Sequence, residues 1–191
     1  MNKDDILKAI GKKYAVLSPD CQKDLLAHVN LRTIEKGEIV VSEGQYADKA
    51  YFIIQGCARA YYLIDGRDIT DWIAFKNEFI SPIVSFFSDQ PSPHYIGFLQ
   101  QSIVFEVSRE SVDTLSQKHH DFERLMRTII TEVMLSQRQR SASILFQSAE
   151  QRYKYVLTYR PEIIQRIPLT HLASYLGMTL ETLSRVRKSM T

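Results

Sequence analysis

The chain is poor in the residues that would make it a metalloprotein, a secreted protein or a membrane protein. It holds two cysteines, Cys21 and Cys57, far apart and without a Cys-x-x-Cys or paired His/Cys spacing. Neither zinc nor an iron–sulfur cluster has a ligand set here, so no metal site and no cofactor are expected. Two unpaired thiols fit a reducing compartment. No apolar run approaches the ~20 residues of a membrane helix. The N-terminal stretch MNKDDILKAIGKKY lacks the apolar segment of a secretory leader. A cytoplasmic protein with no membrane partner is expected. Histidine is scarce too: between His28 and His119 only His94 occurs. A cupin-like metalloenzyme needs His and carboxylate clustered on neighbouring strands, and hydrolases need Ser-His-Asp or Cys-His groupings. None is suggested, and the chain is not expected to be an enzyme.

What is present is apolar content and a charge asymmetry. At 191 residues and 45% hydrophobic content, the chain can build one or two domains with real cores. The net charge of +2 is unevenly spread. Residues 138–191 carry nine Lys/Arg and three Asp/Glu, or +6; the preceding residues carry 15 and 19, or −4. An acidic N-terminal module and a basic C-terminal module follow.

Periodicity divides the chain further. Residues 4–30 read as helical, with Ser18-Pro19-Asp20 supplying a cap and a first-turn proline. From residue 31 short apolar runs alternate with glycine: Glu38–Val41, Ala50–Ile54, Cys57–Ile64, Thr70–Phe75 and Ser102–Val107. Asp65-Gly66 is a hairpin dipeptide. Such spacing predicts an all-β sandwich or barrel. Helix returns after Ser108. A short helix covers 110–118, and one long helix runs from His120 to about Ser143. Phe122, Met126, Ile129 and Val133 step by four, three and four, which is a heptad seam flanked by Leu125, Ile130 and Met134. The stripe reads as a dimer seam, with some residues turned to the β-module. A further helix covers 147–160 and is stopped by Pro161.

The most specific signal lies in Leu169–Lys188. Leu172 and Leu176 share one face of a first helix, and Ala173 permits close crossing. Gly177 falls where a left-handed C-cap is needed, and Thr179 can cap a second helix. Leu183 and Val186 give that helix its buried stripe. Glu181, Thr182, Ser184, Arg185, Arg187 and Lys188 remain outward, three cations against one carboxylate. This is the pattern of a helix-turn-helix, which places one short helix in the DNA major groove. Arg185 suits a bidentate contact to guanine, Glu181 a cytosine amino group, and Thr182 a base edge or phosphate. Arg187, Lys188 and Thr170 would position phosphates, with Thr179 and Ser184 beside them. The competing reading is a ligand-binding or interaction module whose helix pair is vestigial.

Together Lys36-Gly-Glu38, Glu43-Gly44, Ala50–Gly56, Asn77–Ile80 and Leu169–Lys188 resemble the Crp/Fnr family of bacterial transcription regulators. Ala149–Tyr153 and Ala173–Gly177 resemble a branch of short regulators from Bacteroidetes-type bacteria. The resemblance implies an α+β chain in three parts. Residues 1–118 would form a jelly-roll β-module like a cyclic-nucleotide-binding domain, 119–146 a dimerisation helix, and 147–191 the helix-turn-helix domain. It also implies a homodimer on a pseudo-palindromic DNA site, a small-molecule effector, and RNA polymerase as a further partner. Cyclic-nucleotide-binding members carry Gly-Glu-Leu followed shortly by Arg-Ser or Arg-Thr. The matching stretch here is Ser81–Tyr95, with Pro82 in place of the Glu and no arginine between Arg67 and Arg109. A buried phosphate without a cation is disfavoured, so cAMP and cGMP are not expected as ligands. The same stretch implies an effector pocket of Phe79, Ile80, Ser81, Ile83, Ser85, Phe86, His94 and Tyr95. His94 either supplies a cation when protonated or decorates a loop. Relatives often continue past the recognition helix into a β-hairpin wing. With Thr191 as the last residue, wing contacts to phosphate are not expected.

Overall fold

The computed structural model describes residues 3–190. Its first helical stretch is two helices, α1 (Lys3–Lys13) and α2 (Pro19–His28). Ser18 separates them: its backbone is extended and its hydroxyl accepts the Cys21 N–H, with Pro19 in the first turn. Val29, read from sequence as helical, is extended and opens β1 (Val29–Ile34). Its neighbours explain the change, because β1 pairs antiparallel along its whole length with a late strand, Val29 opposite Val107. A ladder partner nearly eighty residues away has no local signature.

The strands that follow are β2 (Ile39–Val41), β3 (Lys49–Gln55), β4 (Cys57–Ile64), β5 (Arg67–Phe75), β6 (Phe79–Ile80), β7 (Tyr95–Phe98) and β8 (Ser102–Ser108), with α3 (Ile83–Ser88) between β6 and β7. They form two four-stranded sheets, ordered β1-β8-β3-β6 and β2-β7-β4-β5. The strand pairings among the described residues are antiparallel, as in a jelly roll. Asp65-Gly66 turns β4 into β5 as expected, both residues at positive φ and Ile64 opposite Arg67. β3 and β4 are nearly continuously buried instead of alternating. That pattern arises where both faces of a sheet are covered.

Three cores cover those faces. Between the sheets lie Ile34, Tyr51, Ile53, Ala60, Ile96, Phe98 and Val104. On the outer face of the first sheet, Phe52, Phe105 and Val107 pack with α1, α2, α4 (Arg109–Lys118) and the long α5 (His120–Phe146). On the second sheet, Cys57, Ile73 and Phe75 pack with α6 (Ala149–Tyr159), α7 (Pro161–Arg166), α8 (Leu169–Tyr175) and α9 (Leu180–Ser189). Pro161, read as a stop, opens α7 in its first turn, where a missing N–H costs nothing. No helix among the described residues is long and apolar enough to cross a membrane.

The heptad stripe of α5 needs correction as a dimer seam. Phe122 and Ile129 are 3% and 8% exposed within the single chain, packed in the core beneath the first sheet. They are committed inward because Phe52, Phe105 and Val107 on that sheet would otherwise face water. Met126 and Val133 line a cavity beside them. The free apolar face of α5 is rotated away, through Ile130, Met134 (60% exposed) and Leu145 (73% exposed).

Candidate functional site

Two regions hold the candidate residues, and the first is the α8–α9 pair. Leu172, Ala173 and Leu176 are buried, as is Leu183 on α9, which is fully enclosed. Val186 packs against the same core. α8 ends in a Schellman turn. Gly177, at φ +63°, donates to Ser174 O at 2.9 Å, and Met178 N reaches back to Ala173 O at 3.0 Å. Two residues later the Thr179 hydroxyl accepts the Thr182 N–H at 3.2 Å and starts α9. These two caps set the angle between the helices.

With Leu183 and Val186 turned inward, Glu181, Ser184, Arg185, Arg187 and Lys188 are exposed along α9 and Thr182 is half-buried. Thr170 is exposed on α8. Arg185 donates to the Thr182 hydroxyl at 3.4 Å, one turn back. The Glu181 carboxyl is held below its ordinary value, chiefly by a hydrogen bond from its own backbone N–H in the first turn, then by the Thr179 hydroxyl. The side chain therefore stays an acceptor.

Much of the C-terminal positive charge serves another purpose. Arg140 on α5 donates to Thr70 O at 3.0 Å on β5 and to Tyr175 O at 3.3 Å on α8. Arg152 donates to Leu176 O (2.7 Å) and Gly177 O (3.3 Å), orphan carbonyls at the end of α8. Arg160 binds Glu78 at 2.8 Å, and Arg166 binds Gly56 O at 3.1 Å. In the sequence these guanidiniums count toward the +6 charge of residues 138–191. They instead fasten the C-terminal helices to the β-module and cap helix ends. Ser174 completes the fastening. Its hydroxyl accepts Thr70 N at 2.8 Å and donates to Asp68 O at 3.0 Å, beside a bulge where the β4–β5 register shifts.

The second region is a cavity of about 250 Å³ between the β-module, α3 and α5. Phe79, Ile80, Ser81, Ile83, Phe86 and His94 line it, as the sequence suggested. Ser85 and Tyr95 do not. The Ser85 hydroxyl faces away and accepts Ala47 N at 2.7 Å, and Tyr95 stacks on Tyr61 with ring centroids 5.2 Å apart. The α5 residues Met126, Val133 and Gln137 form one wall, and Ala60, Asp71 and Trp72 another. Sequence reading missed Asp71 and Trp72. Their one signal was an acidic residue inside an otherwise apolar strand.

His94 is no loop decoration. It is 5% exposed, its ring edge meets Tyr62 at 5.5 Å, and neither ring nitrogen has a partner among the described residues. Burial pushes its pKa below the ordinary histidine value, against the opposing pull of Asp71. The ring is therefore no ready substitute for a phosphate-binding cation.

Residues 31–119, the strands and short helices around this cavity, match the cyclic nucleotide-binding domain family. By structure the whole chain is similar to FixK2 from Bradyrhizobium japonicum, with a TM-score of 0.71 and 19% identity over 85% of this chain and 84% of that one. It is equally similar to CLP, a c-di-GMP responsive global regulator of Xanthomonas campestris (TM-score 0.71, 21% identity, 91% of both chains). The catabolite activator protein of Thermus thermophilus aligns over 95% of this chain and 86% of its own, with a TM-score of 0.59 and 16% identity. The likeness to these three structures is one of fold. No curated protein matches the chain in sequence. Among the described residues no Lys or Arg lines the cavity, and the charged side chain in its lining is the Asp71 carboxylate.

Proposed function

We propose that the protein is a dimeric, sequence-specific DNA-binding transcription regulator of the Crp/Fnr type, controlled by a small effector in its cyclic nucleotide-binding domain. The division of labour follows the sequence expectation: sensing in 1–118, pairing through 119–146, and DNA reading by a helix-turn-helix in 147–191. One observation carries the reading. The two caps around Gly177 and Thr179 hold α9 with its apolar stripe buried and Arg185, Glu181 and Ser184 turned to solvent. That is the geometry in which the second helix enters the major groove.

A two-fold dimer through the free face of α5 would set two such helices on half-sites about 34 Å apart. Effector control would run through contacts already described. The cavity wall includes Asp71 on β5, and β5 is tied to α8 by Ser174 and Arg140. A ligand that prefers one placement of β5 and α5 shifts the population of α8–α9 placements. cAMP is disfavoured as that ligand, because among the described residues no Lys or Arg lines the cavity to meet its phosphate. RNA polymerase is a further partner of this reading.

Selection of random DNA duplexes by the purified full chain tests it. An enriched pseudo-palindrome with half-site centres one helical turn apart is expected. Binding without any enriched sequence, or none at all, would remove the function and leave an interaction module.

A further inference from the structure

We infer that the cavity takes a neutral, mostly apolar molecule of about one ring with a short substituent, whose single hydroxyl pairs with the His94 imidazole. The inference rests on reading this cavity as the effector site, and it narrows the ligand to a chemical class. Size comes first. A cavity of ~150 Å³ accommodates benzene, so the observed 250 Å³ corresponds to about ten non-hydrogen atoms. A cyclic nucleotide is roughly twice that.

The walls are the second constraint. Phe79, Phe86, Trp72, Met126 and Val133 are in the lining, and its polar side chains among the described residues are Ser81, Asp71, His94 and Gln137. Such a lining binds by apolar contact and orients by a few hydrogen bonds.

The third constraint is His94 itself. Its backbone is held by one side chain: the His94 carbonyl accepts the Ser92 hydroxyl at 2.8 Å, and the His94 N–H donates to the same oxygen at 3.4 Å. The ring packs edge-on to Tyr62 and is buried away from water. A buried imidazole with both nitrogens unpaired is costly, and groups of this kind are normally satisfied. A neutral imidazole offers one donor and one acceptor, and a hydroxyl offers the complement of either. A carboxylate or phosphate fits poorly, because among the described residues no lysine or arginine lines the cavity to pair with it. Asp71 also lies 3.6 Å from the Arg140 guanidinium, so the polar end of the ligand would sit one side chain away from the fastening of α8.

Trp72 is the one tryptophan of the chain and lines the cavity, so its emission responds to occupancy. Titration of the full chain with para-propylphenol, by Trp72 emission and calorimetry, is expected to give saturable one-site binding. Propylbenzene, which lacks the hydroxyl, should bind about tenfold or more weakly, since the imidazole stays unpaired. Para-propylbenzoate should bind more weakly than the phenol. In His94→Phe the preference for the phenol over propylbenzene should vanish while propylbenzene still binds, which shows that the cavity persists. Absence of saturable phenol binding, equal affinity for phenol and propylbenzene in the native chain, or an unchanged preference in His94→Phe would overturn the inference. The titration contains no DNA. Its failure leaves the DNA-binding reading standing, and failure of duplex selection leaves the titration unaffected.

Discussion

The Ser174 hydroxyl on α8 accepts the backbone N–H of Thr70 on β5 at 2.8 Å, closing a gap in the sheet with a side chain 104 positions away. The same hydroxyl donates to Asp68 O, so one atom bridges the bulged edge of the cyclic nucleotide-binding domain and the first helix of the α8–α9 pair. Ser174→Ala leaves the Thr70 N–H without its partner. A loss of about 1–3 kcal/mol is expected in urea unfolding of the full chain. Hydrogen exchange at Thr70 should rise in the same variant. Unchanged protection at Thr70 would show that the bridge does not hold the two elements together.

On α9 the roles divide by chemistry. Arg185→Ala should cost about 1–3 kcal/mol at one base pair of the selected site and relax specificity there. Lys188→Ala should weaken all duplexes alike and lower the salt slope by about one. Affinities measured at several salt concentrations, on the selected site and single-base variants, separate the two. The same pattern for both substitutions would exclude a base-reading role for Arg185.

Leu183 is fully enclosed between α9 and the helices beneath it. Leu183→Ala should cost about 2–5 kcal/mol, because the cavity it leaves is bounded by several helices that cannot all collapse. The thermal midpoint is expected to fall by several degrees. A shift indistinguishable from that of an exposed leucine would contradict the packing.

The exposed α5 face makes a separate prediction. Met134→Glu places a carboxylate on the free apolar stripe between Ile130 and Leu145 without touching the inward residues Phe122 and Ile129. Sedimentation should show a dimer for the native chain and a monomer for the variant, with folding intact. A Met134→Glu dimer would move the pairing surface elsewhere.

Acid stability follows from two histidines. Burial lowers His94 below 6.5, opposed by Asp71, and burial lowers His171 with help from Arg59, opposed by Asp68. Between the lowered folded value and 6.5 the unfolded chain binds more protons than the folded one. Stability is therefore complete above that window and declines as pH falls through it. Asp24 acts elsewhere: hydrogen bonds from Lys118 and His119 hold it down to about 2, so its contribution is lost only below the ordinary carboxylate range. Urea midpoints from about pH 7 to about pH 5 should fall for the native chain and less steeply for His94→Phe. Identical slopes would show that His94 titrates as an exposed histidine.

Local chemistry by itself determined the caps and turns: Ser18 with Pro19, Asp65-Gly66, Gly177, and Thr179 before Leu183. Each acts within a few residues, so spacing and residue type suffice. The strands Cys57–Ile64 and Ser102–Ser108 were legible for the same reason, as apolar runs between turn residues. Whatever depended on a distant partner was not legible. Val29 becomes a strand because Val107 lies opposite, and Phe122 and Ile129 turn from the expected seam because a sheet face needs covering. Arg140, Arg152, Arg160 and Arg166 look like a nucleic-acid surface in composition, yet spend their donors on carbonyls and carboxylates of the protein itself. His94 shows the same limit from the other side. In the sequence it is a histidine between prolines and aromatics, and only the closing of two sheets and α5 around it leaves both ring nitrogens buried and unpaired. Burial and partnership depend on distances across the fold, and those are decided when the chain packs.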